Sequence, residues 1–188
     1  MNLSNKLTIP TLFILSTLMW LTRGHHIASL VNLPDATWAI FFILGFYFSS
    51  LLIPALFLIQ AFAIDYLVVT QLGVGDSCFT VAYIFLLPAY LLLWSAGRWL
   101  SKNYALNLTS LKLFFISAFL GIVGCELISS GSYYWINVPG HTSLIEFAAR
   151  IVKYLPNALV ITFAYLLSTL MVHLLLEPNS RKAILMSK

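Results

Sequence analysis

Cys78 is the residue whose type and surroundings point most directly to chemistry. It lies in Gly73-Val74-Gly75-Asp76-Ser77-Cys78-Phe79, a glycine-containing turn between two apolar stretches. The second cysteine of the chain, Cys125, is distant in sequence, so the spacing fits neither a CxxC redox pair nor a zinc site. A single cysteine in such a turn can supply one soft thiolate ligand to a metal centre bound beside it.

Asp65 places a carboxylate inside an apolar segment. Inserting such a group into a membrane costs about 2.5–3.5 kcal/mol, so it is expected to face a partner or a wet cavity. Two interpretations of Asp65 stay open. In the functional one, it forms part of a polar pocket wall or pairs with a cation such as Arg150. In the structural one, it only forms an ion pair or hydrogen bond that links helices. Arg150 follows Glu146 by four residues, and an interfacial arginine that extends towards water explains it as well as a binding role does.

His25 and His26 follow the first apolar segment directly. A histidine there can ligate a metal or donate to an amide-bearing ligand. Adjacent residues do not share a helix face, so at most one of the two is expected to face a site. Interfacial histidines without a ligand are the alternative.

Tyr83 follows Cys78 by five residues, a little over one helical turn. It is predicted to stack on, or hydrogen-bond to, a ligand held at Cys78, or else to belong to an aromatic belt at the membrane interface. Tyr133, Tyr134 and Trp135 are expected in the last outer loop, where belt residues and a lid over a flat ligand are both consistent with their type.

The composition is that of a membrane protein. The chain has 188 residues, of which 61% are hydrophobic and 9% charged, and its mean hydropathy is +0.94. A soluble domain carries about 25% charged residues. The apolar runs are continuous, which predicts helices and one compact transmembrane domain over residues 1–188. The net charge of +4 comes from scattered basic residues, which indicate membrane topology and not nucleic-acid binding.

An all-α fold with six transmembrane helices is predicted. Their approximate ranges are residues 7–22, 36–50, 54–71, 78–98, 108–130 and 143–177. An even number of spans puts both termini on one side of the membrane, and that side then holds seven Lys and Arg residues against three on the other. The positive-inside rule makes it cytoplasmic. The segments around His25, Cys78 and Tyr133 then face outward, so the expected location is the bacterial inner membrane with a periplasmic site.

With these residues in place, the chain resembles the BtuM-type cobalamin-specific S-components of energy-coupling-factor transporters over essentially its whole length. The resemblance rests on Arg23-Gly24-His25-His26, on Asp65, on Gly75-Asp76-Ser77-Cys78 with Tyr83, and on Ala148-Ala149-Arg150. It implies a six-helix bundle that binds a corrinoid, cobalamin or cobinamide, at its outer face.

The resemblance also implies the roles of individual residues. Cys78 would be the axial ligand of the corrinoid cobalt and the residue responsible for removing cobalt-bound cyanide. The accompanying pocket residues would be His26 or, less readily, His25, together with Asp65, Tyr83 and Arg150. No free metal ion is implied, because the cobalt arrives within the corrin.

The first helix departs from the usual S-component pattern. Many S-components dock on an energising membrane subunit through an Ala-xxx-Ala face, but residues 7–22 contain no alanine. This leaves partnership with an energising module open and is compatible with a solitary transporter that needs only the corrinoid and the lipid bilayer. The chain also lacks a P-loop motif, so any uphill step needs another energy source.

Three other function classes compete with uptake. A membrane thiol or quinone oxidoreductase would use Cys78 and Cys125 as a pair, although such enzymes generally have closely spaced cysteines. A haem-binding bundle would need facing histidines within helices. A scaffold protein would account for the hydrophobicity but would leave the outward polar residues unexplained.

Overall fold

The computed structural model describes residues 5–23, 33–72, 80–105, 107–138, 140 and 143–176. These residues form helices and connecting turns, without a strand among them, so the predicted all-α class is confirmed. In chain order the elements are α1 (Asn5–Arg23), α2 (Thr37–Tyr47), α3 (Leu52–Leu72), a 3-10 turn (Val81–Phe85), α4 (Leu86–Asn103), α5 (Leu108–Asn137) and α6 (Leu144–Leu176).

Four helical segments are long and apolar enough to cross a membrane. They are Leu52–Thr70, Val81–Asn103, Thr109–Asn137 and Leu144–Leu174. A spanning helix needs about 20 predominantly apolar residues. The described part of the chain therefore gives four candidate spans where the sequence predicts six. The clearest difference is α2, which has only 11 residues.

The short helix α2 occupies the centre of the bundle. Nine of its residues are buried, and its apolar residues surround it on all sides. Such a pattern is typical of a helix that is buried all round. α2 packs most extensively against α4, at a crossing made by Gly45 and Gly97. A Cβ atom on Gly45 would lie 1.9 Å from the Trp94 carbonyl oxygen, and one on Gly97 would lie 2.0 Å from the Phe42 carbonyl oxygen.

The fourth helix does not begin where the sequence predicts. An α-helix was expected from about residue 78, but the α-helical segment starts at Leu86 and is preceded by the 3-10 turn. Pro88 explains the difference, because its ring excludes the carbonyl of Ile84 from an α-helical hydrogen bond. The chain tightens instead, and the Tyr83 amide donates to the Thr80 carbonyl at 2.9 Å.

The fifth helix is longer than predicted. It begins at the cap residue Asn107, whose side chain accepts a hydrogen bond from the Ser110 amide at 2.9 Å, and it continues to Asn137 instead of ending near residue 130. Tyr133 to Trp135 therefore lie in its last turns and not in a loop. The sequence pattern did not indicate these last turns, because the residues there are polar or aromatic. The run of apolar residues therefore ends before the helix does.

The glycine crossing gives a stability prediction. Gly97→Ala should lower the free energy of unfolding by about 1–3 kcal/mol, because its methyl group would overlap the α2 backbone. Gly131→Ala is the matched control: a Cβ there would lie 3.6 Å from the Phe147 ring, an ordinary contact, within α5. Thermal unfolding of the detergent-purified variants measures both. Equal midpoints for the two variants would contradict the close crossing.

Candidate functional site

A buried ion pair between Arg23 and Asp65 is the centre of the polar residues in the bundle. Arg23 is the last residue of α1, and Asp65 lies in the second half of α3. The guanidinium donates from Nε to Oδ1 at 2.7 Å and from Nη2 to Oδ2 at 2.6 Å. The two side chains are only 10% and 18% exposed. Parallel charge-assisted bonds of this kind are among the strongest in proteins and restrict geometry closely.

Three further side chains complete the Arg23 network, which we define as Arg23, Asp65, Thr37, Tyr83 and Tyr90. The Arg23 Nη1 atom donates to Thr37 Oγ1 and to the Tyr90 hydroxyl, both at 3.1 Å. The Tyr83 hydroxyl donates to Asp65 Oδ2 at 2.7 Å. The network thus joins α1, α2, α3, α4 and the 3-10 turn at one point.

Asp35 connects the network to the start of α2. Its Oδ1 atom accepts hydrogen bonds from the amide of Thr37 at 2.9 Å and from the hydroxyl of the same residue at 2.5 Å. Its Oδ2 atom lies 3.5 Å from Arg23 Nη1. The end of α1 contributes as well, because Thr22 Oγ1 accepts from the Ala36 amide at 3.2 Å. The amides of Ala36 and Thr37, which have no partner within α2, are therefore satisfied by side chains. A helix end inside a bundle requires such partners.

A cavity of about 500 Å³ opens beside the network. Its walls come from α1, α3, α4, α5, the 3-10 turn and the residues just before α2. They consist of Arg23, Asp35, Asp65, Val68, Val69, Thr80, Ala82, Tyr83, Leu86, Tyr90, Ser129 and Tyr133.

The cavity is partly open to solvent, and two of its lining residues differ in how they are held. The Thr80 hydroxyl accepts a hydrogen bond from the Asn137 side chain of α5 at 2.8 Å. Tyr90 is buried, and its hydroxyl accepts from Arg23. Contacts between helices therefore fix both residues on the cavity wall.

The cavity combines apolar walls with a few oriented polar groups. The lining combines the charged groups of Arg23, Asp35 and Asp65 with the hydroxyls of serine, threonine and tyrosine residues and with four aliphatic side chains, those of Val68, Val69, Ala82 and Leu86. Small-molecule sites typically have this composition and volumes of about 300–1,000 Å³. The arrangement is suited to a ligand that exposes amides or hydroxyls together with apolar surface.

Two of the predicted site residues, Asp65 and Tyr83, are brought together on the cavity wall and share a hydrogen bond. The interpretation of Arg150 as the partner of Asp65 is wrong, because Asp65 pairs with Arg23. Arg150 lies in α6 and pairs with Glu146 at 3.1 Å, with 37% of its side chain exposed. Its guanidinium carbon lies 5.1 Å from the centre of the Tyr134 ring. It does not line the described cavity.

Cys78, His25 and His26 lie outside the described residues. In sequence, however, they flank two residues that line the cavity. Cys78 precedes Thr80 by two positions, and His25 follows Arg23 by two. The roles of these three residues therefore stay predictions.

Sequence reasoning overlooked most of the network. Arg23 enters the sequence analysis as a topology charge and as part of the segment Arg23-Gly24-His25-His26, but not as a site residue, and Thr37, Tyr90 and Asp35 do not enter it as site residues. One signal was available for Arg23: an arginine at the end of one apolar segment and a lone carboxylate in another commonly form a pair. No comparable signal exists for Tyr90, because a tyrosine in an apolar helix is usually an ordinary packing or interfacial residue.

The second cysteine, Cys125, is fully buried within α5. A dithiol mechanism would require its sulfur to be accessible to a second thiol or to a substrate. Its burial disfavours the oxidoreductase interpretation. Comparison with known proteins adds no relative: no protein-family model matches this chain, and no curated protein matches it.

Removal of one partner of the buried pair should be much more damaging than loss of an exposed pair. Asp65→Ala is expected to lower the free energy of unfolding by about 3–5 kcal/mol, because it removes the bidentate partner of the buried Arg23 cation and leaves it only the longer contact with Asp35 Oδ2. Arg150→Ala, which breaks the exposed pair with Glu146, should change it by no more than about 0.5 kcal/mol. Chemical unfolding in detergent compares the two variants directly.

A double variant distinguishes charge burial from simple loss of packing. Arg23→Met combined with Asp65→Leu should recover a large part of the stability lost in Asp65→Ala, since neither charge is then buried. A double variant that is less stable than Asp65→Ala would show that the network stabilises the bundle by hydrogen bonding at many points and not through the ion pair.

Proposed function

We propose that this chain is a membrane uptake protein that binds corrinoids, cobalamin or cobinamide, with the Cys78 thiolate as an axial ligand of cobalt. The observation that carries the proposal is a polar cavity with Asp65, Tyr83 and Thr80 in its lining. Cys78 precedes Thr80 by two residues, so covalent geometry limits the distance between their Cα atoms to about 7.6 Å. This short distance in sequence from a lining residue supports Cys78 as the thiolate donor.

The polar wall supports a corrinoid by its chemistry. A corrin carries amide side chains around its edge, which both donate and accept hydrogen bonds. Asp35 and Asp65 offer acceptors to amide N–H groups, and the hydroxyl of Thr80, which accepts from Asn137, offers a donor. Apolar residues such as Val68 and Leu86 suit the hydrocarbon surface of the macrocycle. The cavity takes one edge of the corrin, and the remainder extends towards the opening and the Cys78 segment.

The proposed coordination step is a ligand exchange at cobalt. The Cys78 thiol loses its proton to water, the cobalt–sulfur bond forms, and the bond from cobalt to its previous axial ligand breaks. In cobalamin that ligand is the nucleotide base, which gives a base-off form. Cobalt does not change its oxidation state in this exchange, so the loss of cyanide implied by the family resemblance is a separate reaction that the exchange does not require.

The proposed topology has six membrane segments, cytoplasmic termini and a periplasmic cavity in the bacterial inner membrane. The order of elements supports it: the ends of α1 and α3 and the starts of α2 and α4 meet at the Arg23 network. Helices that alternate in direction bring these ends together. Most of the basic residues lie towards the opposite ends, which the positive-inside rule assigns to the cytoplasm.

The visible spectrum of the bound corrinoid tests the coordination. Protein purified in detergent, incubated with cyanocobalamin and freed of excess ligand should retain a corrin spectrum shifted from that of the free vitamin. Cys78→Ala should lose the shift, because the only other cysteine in the sequence, Cys125, is buried in α5 and is not among the residues that line the cavity. Cys125→Ala is the matched control and should keep it, since Cys125 is buried in α5.

The outcomes separate the candidate functions. A shift that persists in Cys78→Ala would disprove thiolate coordination by this residue. Absence of any retained corrinoid in the wild type would reject corrinoid binding altogether. A shift lost equally in Cys125→Ala would favour a function that needs both thiols.

Growth tests the uptake part of the proposal. A vitamin-dependent bacterial strain without its own corrinoid transporter should grow at low vitamin concentration when it expresses this chain alone, because the first helix lacks the alanine docking face. Cys78→Ala should grow at least tenfold less well at limiting vitamin. Growth that appears only when an energising module is supplied would reject the solitary mode and keep the binding function.

A further inference from the structure

The described cavity wall carries an excess of one negative charge. Three charged residues line it, namely Arg23, Asp35 and Asp65. Arg23 and Asp65 neutralise one another in a bidentate pair. Asp35 has no second cation to match it among the described lining residues. Arg150, which could have supplied one, is paired with Glu146 away from the cavity.

Among the described residues, Asp35 Oδ2 is the oxygen of this carboxylate that accepts no hydrogen bond. The other oxygen, Oδ1, already accepts from the amide and hydroxyl of Thr37. Every nitrogen of the Arg23 guanidinium donates elsewhere: Nε and Nη2 to Asp65, and Nη1 to Thr37 and Tyr90. Arg23 Nη1 lies 3.5 Å from Asp35 Oδ2, which is an ion contact and not a hydrogen bond.

The Asp35 carboxylate is also partly accessible to solvent. The Asp35 side chain is 40% exposed, whereas that of Asp65 is 18% exposed. Its backbone neighbour Pro34 accepts a hydrogen bond from the Tyr165 hydroxyl at 2.7 Å, which holds this segment against α6. The carboxylate is therefore presented to the cavity on a restrained backbone, as a binding group needs to be.

We propose that Asp35 is a specificity-determining residue that makes the cavity favour the more positively charged corrinoids, cobinamides, over complete cobalamins. The inference rests on the proposed function. A cobalamin carries a phosphodiester in its nucleotide loop, and a cobinamide lacks it. With the same axial ligands, a cobinamide therefore carries one more positive charge. An unmatched carboxylate on the wall therefore attracts a cobinamide more strongly than a cobalamin.

Coulomb's law gives the size of the effect. One charge about 10 Å from a carboxylate, at the effective dielectric constant of about 20 that suits sites near a protein surface, changes affinity by about tenfold. Salt in the solution would reduce this preference, because the cavity is open to solvent. Contacts between the protein and the nucleotide loop of cobalamin would favour cobalamin instead. The quantity to compare across variants is therefore the ratio of the cobinamide affinity to the cobalamin affinity.

The experiment measures the dissociation constants of cyanocobalamin and of aquacyanocobinamide for the full-length protein in detergent. Asp35→Asn is the decisive variant: asparagine keeps an oxygen that accepts from the Thr37 amide and hydroxyl, but it removes the charge. Asp35→Glu restores the charge. Ser129→Ala, on the α5 wall of the same cavity, is the control for a neutral change in the lining.

The expected result is a ratio of affinities, cobinamide over cobalamin, that falls about tenfold in Asp35→Asn and stays close to the wild-type ratio in Asp35→Glu and Ser129→Ala. The wild-type ratio should also fall as the salt concentration rises. An unchanged ratio in Asp35→Asn would overturn the assignment of Asp35 while leaving corrinoid binding intact. Failure of the wild type to bind either compound would reject the proposed function, and the inference with it.

Discussion

The bidentate ion pair between Arg23 and Asp65 is the interaction on which the rest of the site depends. Neither charge is tolerated alone inside an apolar bundle, so the end of α1 and the second half of α3 must lie side by side. With four of its donors committed to Asp65, Thr37 and Tyr90, the guanidinium also sets where α2 begins and how α4 faces it. The cavity wall is therefore rigid, because its polar groups are oriented by one another.

The sequence predicted the helical class and six helical segments, because continuous apolar runs are strong signals, but only four of the described helical segments are long and apolar enough to span a membrane. It failed at helix ends: the 3-10 turn before Pro88 and the last turns of α5. Asp65 could be selected because a carboxylate in an apolar segment is conspicuous, and the same signal could have pointed to Arg23 as its partner. Tyr90 could not be selected, since its importance comes from distances between helices that no single segment encodes.

The site divides its tasks between two kinds of structure. Recognition groups lie on helices or are tied to helix ends, where packing limits their movement. The proposed metal ligand, Cys78, belongs instead to a segment that joins two helices. Such a division is common in binding sites, because packed helices fix the groups that select a ligand while functional residues often lie on connecting segments. On the proposed function it would also separate charge selection at Asp35 from coordination at cobalt.

The shortness of α2 has a consequence for how the protein is made. A helix of 11 residues does not reach across a hydrocarbon layer of about 30 Å, so it cannot be released into the lipid as an independent span. Its backbone ends would also meet lipid without partners. The amides of Ala36 and Thr37 at its start bond to Thr22 and Asp35, and Gly45 lets it pack directly on the α4 backbone, so α2 must reach its place together with its neighbours. Membrane integration and tertiary folding of this chain are thus one process.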